Sequence, residues 1–272
     1  MLRVESLSTR PVVSIPYEYL ESGIRVRHAD LPVLTGTASG LPHGLDAIAL
    51  TSDLQGVEPG RVTHGSPRPL GAVVAMWLDA MGAGGVIPGL ALMGAILAGD
   101  LHVDTSLATR GGSSDVSPIW ELFASSMKWV AGVPGNHDGF RTTESGAIKW
   151  NYAGKCHLLD GAAMEVDSFR IAGLGGVIGR GDRPYRRPER GYLRALKQIC
   201  SAGPDLLVLH QSPDGGEGGY DGSVPIRDCL ESLTPRFVVS GHTLWPEPLA
   251  ILKNGTQVLN VAGRAVILKR SG

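Results

Sequence analysis

The sequence predicts an α/β protein, and three observations carry that prediction. Short, continuously apolar runs recur along the 272 residues, which is how strands buried on both faces read. Stretches with helical spacing lie between those runs, and alternating strands and helices build an α/β sheet protein. Hydrophobic residues make up 43% of the chain and charged residues 19%, enough for a sizeable core and incompatible with wholesale disorder.

Taken in order, residues 1–45 are punctuated by Pro and Gly, with one strand-like alternation at Ile24-Arg25-Val26-Arg27. They read as an N-terminal arm or edge segment beside a main body, 46–272, that forms one structural unit. Asp46 to Thr51 is a buried strand leading to Ser52-Asp53. A helix is predicted over about 70–81, then a Gly/Pro loop around Pro88, then a strand over about 90–97 ending at Gly99-Asp100. A second helix covers about 117–127, and Lys128 to Val133 leads to Gly135-Asn136-His137-Asp138. A third helix covers about 189–201. Leu206 to Leu209 leads to His210, and Arg236 to Ser240 leads to Gly241-His242. Ala250 to Leu268 reads as hairpin-like strands turning at Asn254-Gly255 and Gly263. No internal repeat is visible.

Ala80 to Gly99 carries no charge before Asp100 and is long enough for a bilayer. Its glycines, Pro88 and direct run into Asp100 favour helix, loop and buried strand over a membrane span. The net charge of −1 supplies no global field toward nucleic acid or an anionic membrane. Cys156, Cys200 and Cys229 are far apart, odd in number and not in a CxxC pair, so a disulfide framework or thiolate metal site is not expected. The opening MLRVESLSTRPVV has no apolar signal-peptide core. Together these point to the cytoplasm.

The functional clue is positional. In open α/β sheets, ligands bind where strands end, and all five polar clusters fall at such ends. Asp53, Asp100, Asn136, His210 and His242 are oxygen or imidazole-nitrogen donors. Converging on one rim, they make a mixed site for a divalent ion such as Mn, Fe or Zn. Such an ion lowers the pKa of bound water and neutralises phosphoryl charge. His137, beside Asn136, is free to protonate a leaving group. Taken singly, each has a plainer reading: Asp53 or Asp100 as a helix cap, His210 or His242 as a structural histidine, Gly135-Asn136 as a turn. Their joint order is what carries weight.

That order resembles the calcineurin-like metallophosphoesterase superfamily, whose motifs run D-x-H, G-D, G-N-H-D/E, a lone His after a strand, and G-H-x-H. Here they stand as Asp53-Leu54-Gln55, Gly99-Asp100, Gly135-Asn136-His137-Asp138, Leu209-His210 and Gly241-His242-Thr243-Leu244, spread over about residues 46–268. The resemblance implies a β-sandwich flanked by helices with metals at the strand ends. It implies that Asp100 bridges two metals, that Asn136, His210 and His242 complete one site, and that Asp53 belongs to the other.

The second site departs from the pattern. Gln55 and Leu244 stand where the family has imidazoles. A Gln amide oxygen is a harder, weaker donor than imidazole, and Leu offers none. Three outcomes are open: one tightly held metal with a second weaker one, a mononuclear enzyme, or a binding protein that has lost catalysis. Retention of Asp53 favours the first. His102 and Asp104 are candidate replacement ligands, with plain loop residues the commoner reading.

The activity expected is hydrolysis of a phosphomonoester or phosphodiester, with Asp100 and His137 catalytic. The rivals are a scaffold protein on the same fold and a nuclease of the same superfamily. The expected partner is a small phosphorylated substrate, a nucleotide among the candidates. The segment Gly179–Arg190 is strongly basic, and Arg180, Arg183 and Arg186 are candidate phosphate contacts; a solvated loop is the bland reading. The Gly-rich tract 214–222 is a candidate lid. Trp245 either fills space or stacks on substrate.

Overall fold

The apolar runs become two sheets packed face to face. In the computed structural model, which describes residues 2–21, 25–60, 67–109, 112–141, 152–216 and 218–272, the first sheet is built from β1 (Arg3–Leu7), β2 (Val13–Glu21), β3 (Arg25–Ser39), β4 (Ala47–Ser52), β5 (Met93–Leu97), β6 (Trp129–Gly132) and β7 (Cys156–Leu158). The second takes β8 (Ala162–Val166), β9 (Phe169–Leu174), β10 (Leu206–Gln211), β11 (Phe237–Gly241), β12 (Leu249–Ile251) and β13 (Gln257–Asn260). The last strand, β14 (Arg264–Arg270), returns to the first sheet. Strand order there is β1-β3-β14-β4-β5-β6-β7, with β2 paired to β3; in the second sheet it is β8-β9-β10-β11-β13-β12.

Strands β4 to β7 run parallel, as do β9, β10, β11 and β13. Parallel strands need both faces covered, which explains their continuous apolar runs. Ile48, Leu50, Ile96, Val208, Val239 and Leu259 fill the space between the sheets. α1 (Leu70–Ala83) and α2 (Ser117–Ser126) cover the outer face of the first sheet, through Val74, Leu78, Trp120 and Phe123. α3 (Glu189–Cys200) and α4 (Val224–Leu233) cover the second, through Tyr192, Leu196, Ile226 and Leu230. The result is a helix–sheet–sheet–helix sandwich, the α/β class and flanked β-sandwich that the sequence predicts.

The first three helices start and stop within a few residues of expectation. α4 was not foreseen: its signal is Ser223, whose Oγ accepts from Ile226 N at 3.4 Å, with Pro225 in the first turn. The run before Asp100 is a 3-10 turn at Leu90–Leu92 followed by β5. Among the described residues no helix is long and apolar enough to cross a membrane.

The C-terminal reading needs one correction. Asn254-Gly255 does turn a hairpin, pairing β12 with β13, and Gly255 sits at φ 87°. Gly263 turns none: there the chain leaves the second sheet and pairs β14 with β4 and β3 of the first. Local turn chemistry does not tell a hairpin from a crossover between sheets. The N-terminal segment forms three strands on the β14 side of the first sheet; of its Ile24–Arg27 alternation, Ile24 lies outside the described residues.

Candidate metal centre

The parallel strands of both sheets point their C-terminal ends at one rim. Asp53 follows β4, Asp100 follows β5, Asn136 follows β6, His210 closes β10 and His242 follows β11. Asp53, Asp100 and His242 hold left-handed backbone, with φ of 56°, 54° and 67°. Each such non-glycine residue costs on the order of 1–3 kcal/mol and persists only where the surroundings fix it, which is typical of functional sites.

Two glycines of the motifs make the convergence possible. A Cβ on Gly99 (φ 93°) would stand 2.5 Å from Gly135 N and 2.7 Å from His210 Nδ1. One on Gly135 would stand 2.0 Å from Asp100 Oδ1. The two loops touch at a distance only bare backbone allows.

The ligand atoms of Asp100, His210 and His242 lie within 4.8 Å of one another. His210 is fully buried, and its Nδ1 bonds the Ala98 carbonyl at 2.7 Å. That places one ring proton on Nδ1 and turns Nε2 inward, the atom that would ligate a metal ion once it carries no proton. Nε2 lies 3.5 Å from Asp100 Oδ2, an ion-pair distance too long for a good hydrogen bond. His210 Nε2 and Asn136 Oδ1 are both buried without a hydrogen-bond partner. A buried amide oxygen and a buried ring nitrogen, neither hydrogen-bonded, are costly to leave so, and a divalent cation that displaces the Nε2 proton would satisfy both. Asp100, Asn136, His210 and His242 therefore fit one divalent ion.

Electrostatics agree. Burial pushes Asp100 up, but the charge and polar contact of His210, with the charge and backbone N–H of His137, together outweigh this and hold the carboxyl at about 2. Burial lowers His210, yet Asp100 and then Asp53 raise it to about 9. His242 drops to about 4, by burial first and then by His210.

The residues present do not fit a second ion in the same way. Asp53 Oδ2 accepts from Ser52 Oγ and from His242 N, the latter at 2.8 Å, while burial raises this carboxyl to about 6 against the pull of His210. Gln55 turns its amide N–H, not its oxygen, to Asp100 Oδ2 at 3.3 Å, as an amide beside a carboxylate must. Leu244 is 65% exposed and carries no donor. The suggested replacement ligands are engaged elsewhere. Asp104 accepts from Ser106 and Thr109 through both carboxylate oxygens, and His102 Nδ1 meets Ser114 Oγ at 2.6 Å.

His137 donates its backbone N–H to Asp100 Oδ1 at 2.9 Å, and its Nδ1 lies 2.9 Å from the Gly112 carbonyl. The carbonyl holds the Nδ1 proton, which leaves Nε2 as the exchanging atom. With Asp53, Gln55 and His242, His137 lines a cleft of about 690 Å³.

The basic segment sits apart. Arg180, Arg183 and Arg186 are not in the lining of that cleft; Arg180 pairs with Asp182 and is 87% exposed, while Arg186 lies near enough to His242 to lower its pKa. The Gly-rich tract 214–222, of which Glu217 lies outside the described residues, is pinned by Asp214 to Arg227 and by Tyr220 against Trp245, ring centroids 5.3 Å apart. Trp245 is fully buried and bonds the Asp221 carbonyl at 2.8 Å, so it fills space.

Three features at this site were missed in the sequence. Asp138 accepts backbone N–H groups from Gly135, Asp100, Leu101 and His102 at 2.8–3.2 Å; it closes the Gly-Asn-His-Asp motif, and its burial was the unread part. Tyr17 and Tyr19 of β2 form a cleft wall, ring centroids 5.8 Å apart; the alternation Val13, Ile15, Tyr17, Tyr19 was the available signal. Arg264 also lines the cleft, with no sequence signal beyond following Gly263.

A model of the calcineurin-like phosphoesterase family matches residues 48–246. No curated protein matches this chain. Among solved structures the chain is similar to TT1561 of Thermus thermophilus, with a TM-score of 0.52 at 15% identity over 79% of this chain and 88% of that one. It is also similar to the sulfate thiohydrolase SoxB of Thermus thermophilus in complex with glycerol, with a TM-score of 0.42 at 15% identity over 83% and 53% of the two chains. The likeness to TT1561 speaks for shared fold and nothing finer.

Proposed function

We propose, from the premise that the chain belongs to the calcineurin-like phosphoesterase family, that it hydrolyses a phosphomonoester or phosphodiester at a centre held by Asp100, Asn136, His210 and His242. The observation that carries this is the pair of buried polar atoms without a hydrogen-bond partner, Asn136 Oδ1 and His210 Nε2, the latter beside the ionised Asp100 carboxylate. A divalent cation there, Mn, Fe or Zn by donor chemistry, supplies an activated water and charge for the developing oxyanion. The Ala98 carbonyl keeps His210 in the ligating tautomer. His137, anchored through Nδ1 on Gly112, protonates the leaving oxygen from Nε2. Asp138 holds the two loops that carry Asp100 and Asn136.

One tightly held ion is our reading; the weaker second ion suggested by Asp53 finds no support in Gln55 or Leu244. The substrate is a small phosphorylated molecule. The net charge of −1 and a basic segment outside the cleft speak against a nuclease. We assign the protein to the cytoplasm on its three scattered, free cysteines.

The test is a panel of mono- and diesters with Mn, Fe, Zn and Mg, run beside Asp100→Asn. Hydrolysis of at least one ester is expected, with the variant down by roughly a hundredfold or more. No hydrolysis of any ester, or equal rates in the variant, overturns the reading. Gln55 and Leu244 favour one alternative, a binding protein on the same fold. Metal at far less than one equivalent after purification, not restored by added Mn, would support it.

A further inference from the structure

We propose that Arg264 forms an anion subsite in the metal cleft, its guanidinium taking an anionic oxygen of the phosphorylated substrate. The proposal rests on the hydrolase reading for the identity of that substrate. Arg264 opens β14 and pairs in register with Ser52, the residue before Asp53. Its carbonyl accepts from Thr51 Oγ1 at 2.9 Å, which fixes the start of the strand. The side chain is 6% exposed and lines the cleft beside Leu244, Trp245 and Gly263.

What sets this arginine apart is its lack of partners. A guanidinium carries five N–H donors. Here Nη2 donates to the Trp245 carbonyl at 2.5 Å, and Nε is buried with no partner. Among the described residues no carboxylate lies within ion-pair distance of it. The contrast with other arginines is clear. Arg187 forks onto both oxygens of Asp160 at 2.8–2.9 Å. Arg227 pairs with Asp214 and Asp228. Arg270 is satisfied by carbonyls of Leu41, Pro42 and Leu45. Arg264 has a single carbonyl and an orphaned donor.

A cation buried without a counter-charge is expensive to keep, and a structural tie to Trp245 needs no charge. Burial lowers its pKa, with Glu247 opposing only from a distance. The guanidinium fork matches phosphate and carboxylate geometry. It stands on the flank where Leu244 contributes no ligand, so it supplies fixed positive charge where the metal donors run out. The ligand class is an anionic oxygen of a phosphorylated molecule, with orthophosphate, the product common to monoesters, as its simplest probe.

Orthophosphate is titrated into the Zn-loaded, ¹⁵N-labelled protein while the arginine Nε–H resonances are followed. The Arg264 resonance is expected to shift with phosphate, and the shift is expected to vanish in Arg264→Met. Phosphate affinity in R264M should fall by roughly 10- to 100-fold, the effect of losing charge-assisted hydrogen bonds, with R264K intermediate. Metal content and melting temperature are measured alongside and should hold. An unmoved Arg264 resonance in the wild type overturns the proposal without needing a folded variant. So does phosphate affinity in R264M within about twofold of wild type. Phosphate bound through Arg264 with no ester hydrolysed would sink the hydrolase reading and leave the subsite standing.

Discussion

In the metal-free protein at neutral pH, His210 is a cation. Burial alone would strip its proton, but Asp100 and Asp53 hold it at about 9. The proton on Nε2 occupies the position a metal ion needs, so the two compete. His242, lowered to about 4, is already neutral at pH 7, and Asp100, held at about 2, is already ionised. One proton therefore stands between the protein and the proposed ion. The predicted affinity for Mn rises by about tenfold per pH unit between pH 7 and about 9, then levels. Equilibrium binding followed by the EPR signal of free Mn reads this directly; a flat profile would show that His210 is not the competing group. The sign for stability is opposite. His210 has a folded pKa raised above its ordinary 6.5, so its contribution to metal-free stability is full below about 6.5 and lost as pH rises through about 9. The candidate metal ligands stand out in the sequence because each is a donor placed where an apolar run stops. The state of each does not, because it depends on charges brought together from both sheets.

At the scale of elements, the loops after β5 and β6 are held as one unit by Asp138. Its two oxygens collect four backbone N–H groups, three from Asp100, Leu101 and His102 in the first loop and one from Gly135 in the second. Burial, then the charge of Asp100, raises this carboxyl to about 6, which still leaves it ionised at pH 7. Asp138→Asn keeps the size but replaces one acceptor oxygen with a donor facing N–H groups. At least one buried N–H is left without a partner, at about 1–3 kcal/mol each. The expected outcome is a drop in melting temperature together with a weakened Mn affinity, since both loops carry proposed ligands. A variant with wild-type metal affinity would show that the loops hold their geometry without Asp138. Continuous apolar runs made β4, β5, β6, β10 and β11 readable. The β2–β3 hairpin was not, because Pro16 and Pro32 break a pattern that pairing across Ile15 and Leu31 nonetheless sustains. The fate of Gly263 was hidden for a different reason: the same glycine serves a hairpin or a crossover, and only the competition between β13 and β4 for β14 decides.

Across the whole molecule, the centre joins two sheets that meet between their faces mainly through apolar side chains, with Gln257 bonding the Val4 backbone as a polar exception. Asp100 and Asn136 come from the first sheet, His210 and His242 from the second. In the metal-free protein the rim of this interface holds an orphaned Asn136 oxygen and a His210–Asp100 pair at 3.5 Å. An ion bound there would tie the sheets together at the rim where the parallel strands of both sheets end. Binding to the folded state alone stabilises by RT ln(1 + [L]/Kd), about 2.7 kcal/mol at a hundredfold excess over Kd. Removing metal with a chelator should therefore lower the melting temperature, and adding back one equivalent of Mn should restore it. The increment should keep growing with free Mn as the logarithm of its concentration. His210→Ala breaks the sheet-two side and Asp100→Asn the sheet-one side, and each should abolish the Mn-dependent increment whatever it does to the metal-free baseline. An increment that survives in either variant would mean that the stabilising ion sits elsewhere, and that the convergence of the two sheets at this rim is not what holds it.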